Sequence, residues 1–123
     1  ITLPEGLTSI GDYAFFGCSA LTSITLPESL TSIGYDAFAY CDALTSITIP
    51  ESVTKIGTAA FAGCSGFTSI TCKANNPPKA NNAFGDDFDY SIPFFVPKES
   101  IEIYKNTKSA SNYLSDALFV CFE

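Results

Sequence analysis

Residues 24–46, ITLPESLTSIGYDAFAYCDALTS, recur with variation along the chain, and that recurrence decides the fold. Written in lines of 23, the chain puts Ile1, Ile24, Ile47 and Ile70 in one column and Phe15, Phe38, Phe61 and Phe84 in another. Residues 1–23 match 24–46 at 17 positions, and 24–46 match 47–69 at 14, so the first three lines are copies. The fourth, from Ile70, is degraded. A period of this size marks a solenoid, in which one supersecondary unit stacks on copies of itself.

Inside the second unit, Leu44, Ile47 and Ile49 follow L-x-x-I-x-I with Thr48 pointing the other way, which predicts a short strand with one buried face. Pro50 ends it, as Pro4 and Pro27 end its copies, because proline has no donor to continue a ladder. The pairs Leu7 and Ile10, Leu30 and Ile33, Val53 and Ile56 predict a second short extended piece. Gly11, Gly34 and Gly57 then permit a bend. Ala14, Phe15 and Cys18, with their copies, have the offsets of one face of a helical turn. Positions 12, 13, 16 and 17 and their copies differ most between units, and we expect them to face outward.

The fourth unit replaces the turn by KANNPPKANN, residues 73–82, a proline-broken loop, while keeping Ile70, Ala83, Phe84 and Tyr90. Phe94, Val96, Pro97 and Ile101 restate the strand and proline with one residue inserted. A short helix is predicted from Glu99 to about Lys105 and a last apolar segment over Asn112 to Phe122. The domain reading is therefore repeats over 1–91 (1–23, 24–46, 47–69 and irregular 70–91) and a C-terminal capping unit over 92–123, since a solenoid must cover its final rung. The opening at Ile1, inside a rung with no polar cap, leads us to expect a trimmed piece of a longer precursor.

At 123 residues the chain has room for one domain, and its net charge of −7, without histidine, disfavours nucleic acid and anionic lipid as partners. No apolar run approaches the ~18 residues of a membrane span, so no membrane insertion is expected. Cys18, Cys41 and Cys64 should form a ladder of free, buried thiols. Their rungs are about 5 Å apart, but aligned parallel side chains do not readily reach the dihedral a disulfide requires. Cys72 falls in the column of Leu3, Leu26 and Ile49 and reads as core. Cys121 alone has an open fate, since an odd count leaves one thiol free or paired outside the chain.

Catalytic chemistry finds little to work with. Without histidine there is no Ser-His or Cys-His nucleophile, and the ladder cysteines lack zinc-ligand spacing. Asp86, Asp87 and Asp89 lack the full alternating ligand set of a calcium loop and read as a solvated turn. Glu5, Glu28 and Glu51 form a column that reads as a solvated rim, or else as a strip for a cationic partner. No catalytic residue, cofactor or metal is expected.

The pattern L-x-x-I-T-L-P-x-x-L-x-x-I-G-x-x-A-F-x-x-C resembles the leucine-rich repeat of the BspA-like type, found in bacterial cell-surface proteins, over residues 1 to about 91. The ending V-P-K-E-S-I-E-I-Y-K is similar to the closing unit such proteins often carry. The resemblance implies an α/β repeat: a right-handed leucine-rich-repeat solenoid of 23-residue coils, each with short parallel strands and a helical turn, closed by a C-terminal cap. It also implies surface display or secretion, and adhesion or partner binding. The asparagine of the plant and animal repeat is Gly6, Ser29 and Ser52 here, so no asparagine ladder forms.

We therefore expect a non-enzymatic, extracytoplasmic binding or adhesion module whose partner is a protein or glycan on a host or neighbouring cell surface. A passive spacer and a carbohydrate-binding accessory module are the alternatives. Candidate partner-binding residues are the outward aromatics Tyr13, Phe16, Tyr35 and Tyr40. Thr25 and Thr48, with Thr71, are candidates as a flat hydroxyl ladder of the kind that binds glycans or ice, although such columns are also ordinary strand filler.

Overall fold

The structure, a computed structural model, describes residues 1–89, 91–106 and 118–121. Tyr90, residues 112–117 of the last apolar segment, Phe122 and the side chain of Cys121 fall outside that description. The chain winds as a parallel-strand solenoid of about four 23-residue turns.

Two parallel sheets run along its axis. One takes the short second strands, β1 (Ser9–Ile10), β2 (Ser32–Ile33), β4 (Lys55–Ile56) and β6 (Lys79–Ala80), in the order β1-β2-β4-β6. The other takes β3 (Ser46–Ile49), β5 (Ser69–Cys72), β7 (Pro93–Val96) and β8 (Leu118–Cys121), in the order β3-β5-β7-β8. Ser46 pairs with Ser69 and Ile49 with Cys72, which is the 23-residue period expressed as strand register. A 3-10 turn over Lys98–Ser100 leads into α1 (Ile101–Asn106), where the sequence placed a short helix.

The core is a set of columns. Phe15 stacks on Phe38 at 5.1 Å between ring centroids, Phe38 on Phe61 at 5.4 Å, and Phe61 on Phe84 at 5.6 Å. Cys18, Cys41, Cys64 and Cys72 are free thiols, the last three buried. They are not purely apolar filler. Cys41 donates its S–H to the Phe15 carbonyl at 3.1 Å, and Cys64 donates to the Phe38 carbonyl at 3.0 Å, so each thiol ties its coil to the one before. Burial pushes the Cys41 thiol up and the Cys64 and Cys72 thiols up to about 12.

The Ala-Phe-x-x-Cys segment departs from the expected helical turn. Its amides alternate: Ala14, Phe16 and Cys18 close local turns onto Gly11, Tyr13 and Phe15, while Tyr13, Phe15 and Gly17 donate to the Tyr35, Ala37 and Ala39 carbonyls of the next coil. Left-handed residues enforce this, at Tyr13, Asp36, Ala59 and Asn82 in one column and at Gly17, Tyr40 and Gly63 in another. A residue with positive φ interrupts the α-helical run of hydrogen bonds, so every second amide is turned towards the neighbouring coil.

The fourth coil also departs from strict period. Lys55 pairs with Lys79 and Ile56 with Ala80, a separation of 24 (79 − 55). The loop before Lys79 holds one residue more than its counterpart, and the coil then has one fewer in the corner that Gly57 turns. The two changes cancel before Phe84 reaches Phe61.

Candidate functional site

The third side of the solenoid, where the turns stack, carries the exposed rings. Tyr13, Phe16, Tyr35 and Tyr40 are 59%, 47%, 55% and 57% exposed, well above what a core aromatic shows. Three of them form one cluster, with Tyr13 to Phe16 at 5.8 Å between centroids and Phe16 to Tyr40 edge-on at 5.6 Å. Outward exposure is not uniform along the column, however. Ala39, between Phe16 and Ala62 in its column, is fully buried, against the expectation for that position.

Backbone geometry places Tyr40. It takes φ 62° in a left-handed slot that the flanking coils fill with Gly17 (φ 70°) and Gly63 (φ 72°). Its ring lies over Gly63, so closely that a Cβ there would collide with the ring carbons. A tyrosine costs about 1–2 kcal/mol more than glycine in such a slot.

Beyond Tyr40 the same side holds a cavity of about 360 Å³ walled by Gly63, Phe84 and the carboxylates Asp86, Asp87 and Asp89. Asp86 accepts from the Asn82 side-chain Nδ2 at 2.9 Å. Asp89 accepts from both the Ser91 hydroxyl (2.6 Å) and amide (3.0 Å), and these bonds hold its carboxyl below the usual range. The acidic turn is thus internally hydrogen-bonded, and among the described residues no group of three or more metal-ligating side chains converges.

Tyr35 does not join the ring cluster. It lines a groove of about 560 Å³ along the short-strand sheet. The groove exists because Gly11, Gly34 and Gly57 leave no side chains between two ridges. One ridge includes Ser32, Lys55 and Lys79, and the other includes Asp12, Tyr35 and Thr58. Gly34 and Gly57 are also required for stacking: a Cβ on Gly34 would sit 2.6 Å from the Asp12 nitrogen, and one on Gly57 would sit 2.6 Å from the Tyr35 nitrogen. Asp12 closes the first-coil end by accepting the Tyr35 amide at 2.9 Å.

The threonine ladder is broken. Thr48 and Thr71 are register partners, and Thr2 bridges Thr25, but Thr25 and Thr48 are not paired. A cavity of about 210 Å³ lined by Thr25, Thr48, Pro50 and Lys73 lies between their coils, so no continuous flat hydroxyl face runs through this position. Hydroxyls do bind coil to coil elsewhere. Thr31 donates to the Thr8 carbonyl (2.9 Å), while Ser29 accepts from the Gly6 amide (3.0 Å) and donates to the Leu7 carbonyl (2.7 Å). Ser52, its copy, has no partner among the described residues for its buried hydroxyl. Glu5, Glu28 and Glu51 are exposed, as a solvated rim requires.

Sequence reasoning missed the Lys55–Lys79 pairing because the inserted residue takes Lys79 out of the 23-residue column. The glycine-to-tyrosine change at position 40 was visible, but its backbone consequence was not.

A family model described as a BspA type leucine rich repeat region matches residues 1–115 in 6 copies, past the point where the regular period fades. No curated protein matches the chain. Among the described residues, no helix is long and apolar enough to cross a membrane.

Proposed function

The chain belongs to the BspA-type leucine-rich repeat family, a module of protein interaction, and from that premise we propose that it is a non-enzymatic adhesion module of a bacterial surface or secreted protein. Its docking face for a protein partner is the ring cluster of Tyr13, Phe16 and Tyr40. Residues 92–123 act as the closing unit of the stack, with β7 and β8 extending the ladder and α1 tied by Tyr104 to the Ala74 carbonyl of the fourth coil.

One observation carries this reading. Tyr40 stands in a left-handed slot that suits glycine, and the coils on either side use glycine there. Stability alone favours glycine at that position, so the exposed ring is kept at a cost. Strain of this kind collects at functional positions, and an exposed aromatic cluster on a rigid frame is what an interface uses as its anchor.

The experiment is a pair of variants, Tyr40→Gly and Tyr13→Ala, assayed for adhesion to immobilised matrix and cell-surface proteins and for thermal melting. The expected result is a melting temperature for Tyr40→Gly no lower than the parent's, with adhesion lost in both variants. Undiminished adhesion in both would overturn the assignment and leave the passive spacer in its place.

A further inference from the structure

The Lys55–Lys79 pair is the least explained feature of the molecule. In a chain with a net charge of −7 and only six basic residues, two of them are register partners on adjoining strands. Like charges directly opposite on neighbouring strands are destabilising. Neither lysine has a carboxylate partner among the described residues, and both line the groove at its third- and fourth-coil end.

The groove sorts its chemistry by position. Cations lie at one end and the Asp12 carboxylate at the other, with Ser32, Tyr35, Thr58 and Asn81 between or beside them. Four rungs at about 4.8 Å give it a span of roughly 14 Å. The walls therefore offer hydroxyls, an amide, one aromatic platform and a single pair of positive charges.

Backbone groups in the floor are already engaged. The Gly34 amide donates to Ile10 at 2.8 Å and the Gly57 amide to Ile33 at 2.7 Å, and the strands cross the groove instead of lining it with a free edge. A peptide laid in the groove gains no main-chain ladder there, which removes the usual source of affinity for an extended segment. A sugar chain has no such need, because its hydroxyls pair with Ser, Thr and Asn side chains and its ring face packs on tyrosine. A polyphosphate, charged on every unit, is disfavoured by Asp12 and by the overall negative field, whereas a sugar chain with a single carboxylate sets its one charge against the lysine pair alone.

We propose that this groove is a binding site for a short acidic oligosaccharide, whose carboxylate sits between Lys55 and Lys79 while a neutral sugar packs on Tyr35. The site is separate from the Tyr13–Phe16–Tyr40 cluster and does not depend on it.

The test titrates the whole chain with sialyllactose and with a neutral disaccharide extended by a single glucuronate, using lactose and the methyl esters of both acidic sugars as uncharged controls and a glutamate-rich peptide as the competing class. Nuclear magnetic resonance shifts report the site. The expected result is saturable binding of at least one acidic sugar, shifting the Tyr35 and Lys79 amides. Affinity should fall about tenfold or more in K55Q/K79Q, which melts no lower than the parent because a like-charge pair is gone. Tyr35→Ala, with both lysines intact, should weaken the same sugar. The proposal is overturned if neither acidic sugar binds, if the uncharged controls bind equally, if K55Q/K79Q binds undiminished, or if the peptide alone occupies the groove.

Discussion

Phe38 and Phe61 lie face to face across consecutive coils, ring centroids 5.4 Å apart and planes 2° from parallel, and both are fully buried. Each ring is floor for one coil and roof for the next. Phe38→Ala opens a void touching three coils, and an expected loss of about 3–5 kcal/mol follows from truncating a buried phenylalanine. Phe15→Ala, at the half-buried first rung, should cost less. Urea unfolding of the two variants checks the order; equal losses would contradict a stack whose first rung lies open.

The glycine corner should show a gradient with position. On Gly57 an added Cβ meets the Tyr35 nitrogen and the Gly34 carbonyl carbon at 2.6 Å, whereas on Gly11 it meets nothing within 4 Å. Gly57→Ala is expected to destabilise by about 1–3 kcal/mol, as overpacking does. Gly11→Ala should be close to neutral. Thermal melts of the pair decide the matter.

Alkaline pH should weaken the fold through its thiols. Desolvation raises Cys64 and Cys72 from 9.0 to about 12 in the folded chain. Below pH 9 both states keep the proton and the contribution is fully present. Between 9 and 12 the unfolded chain releases thiol protons that the folded chain retains, so stability falls with rising pH. The slope of unfolding free energy against pH in that window should be shallower in Cys72→Ala than in the parent. Identical slopes would show that Cys72 ionises as readily folded as unfolded.

Tyr104 ties α1 to the irregular loop. Its buried hydroxyl donates to the Ala74 carbonyl at 2.8 Å, and burial pushes its ionisation well above the ordinary tyrosine range. Tyr104→Phe keeps the ring but removes the donor, so a loss of about 1 kcal/mol is expected. Hydrogen exchange over residues 73–80 should quicken in the variant; unchanged exchange there would mean the bond does not order the loop.

Much of the architecture follows from periodicity alone. A 23-residue repeat with apolar columns aligns buried side chains only if successive units stack, because a single coil has too little apolar surface to order itself. The phenylalanine row, the thiol ladder, the two extended pieces per coil and the short helix after Pro97 are all consequences that residue spacing dictates. So is the outward position of Tyr13, Phe16, Tyr35 and Tyr40, which lie outside the apolar columns, although Ala39 in the column of Phe16 is buried.

Tertiary structure alone decided how the backbone runs between those columns. Side-chain offsets of one, three and four fit a helical turn, yet left-handed residues at Tyr13, Asp36 and Tyr40 send alternate amides to the next coil. Likewise, an insertion before Lys79 and a loss after Ala80 cancel, so the period survives at Phe84 while Lys79 slips into register with Lys55. Spacing constrains where apolar side chains recur. Whether a main-chain donor is satisfied within its own coil or by the next, and which charges are thereby brought side by side, depends on dihedral angles and local register that only the packed stack selects.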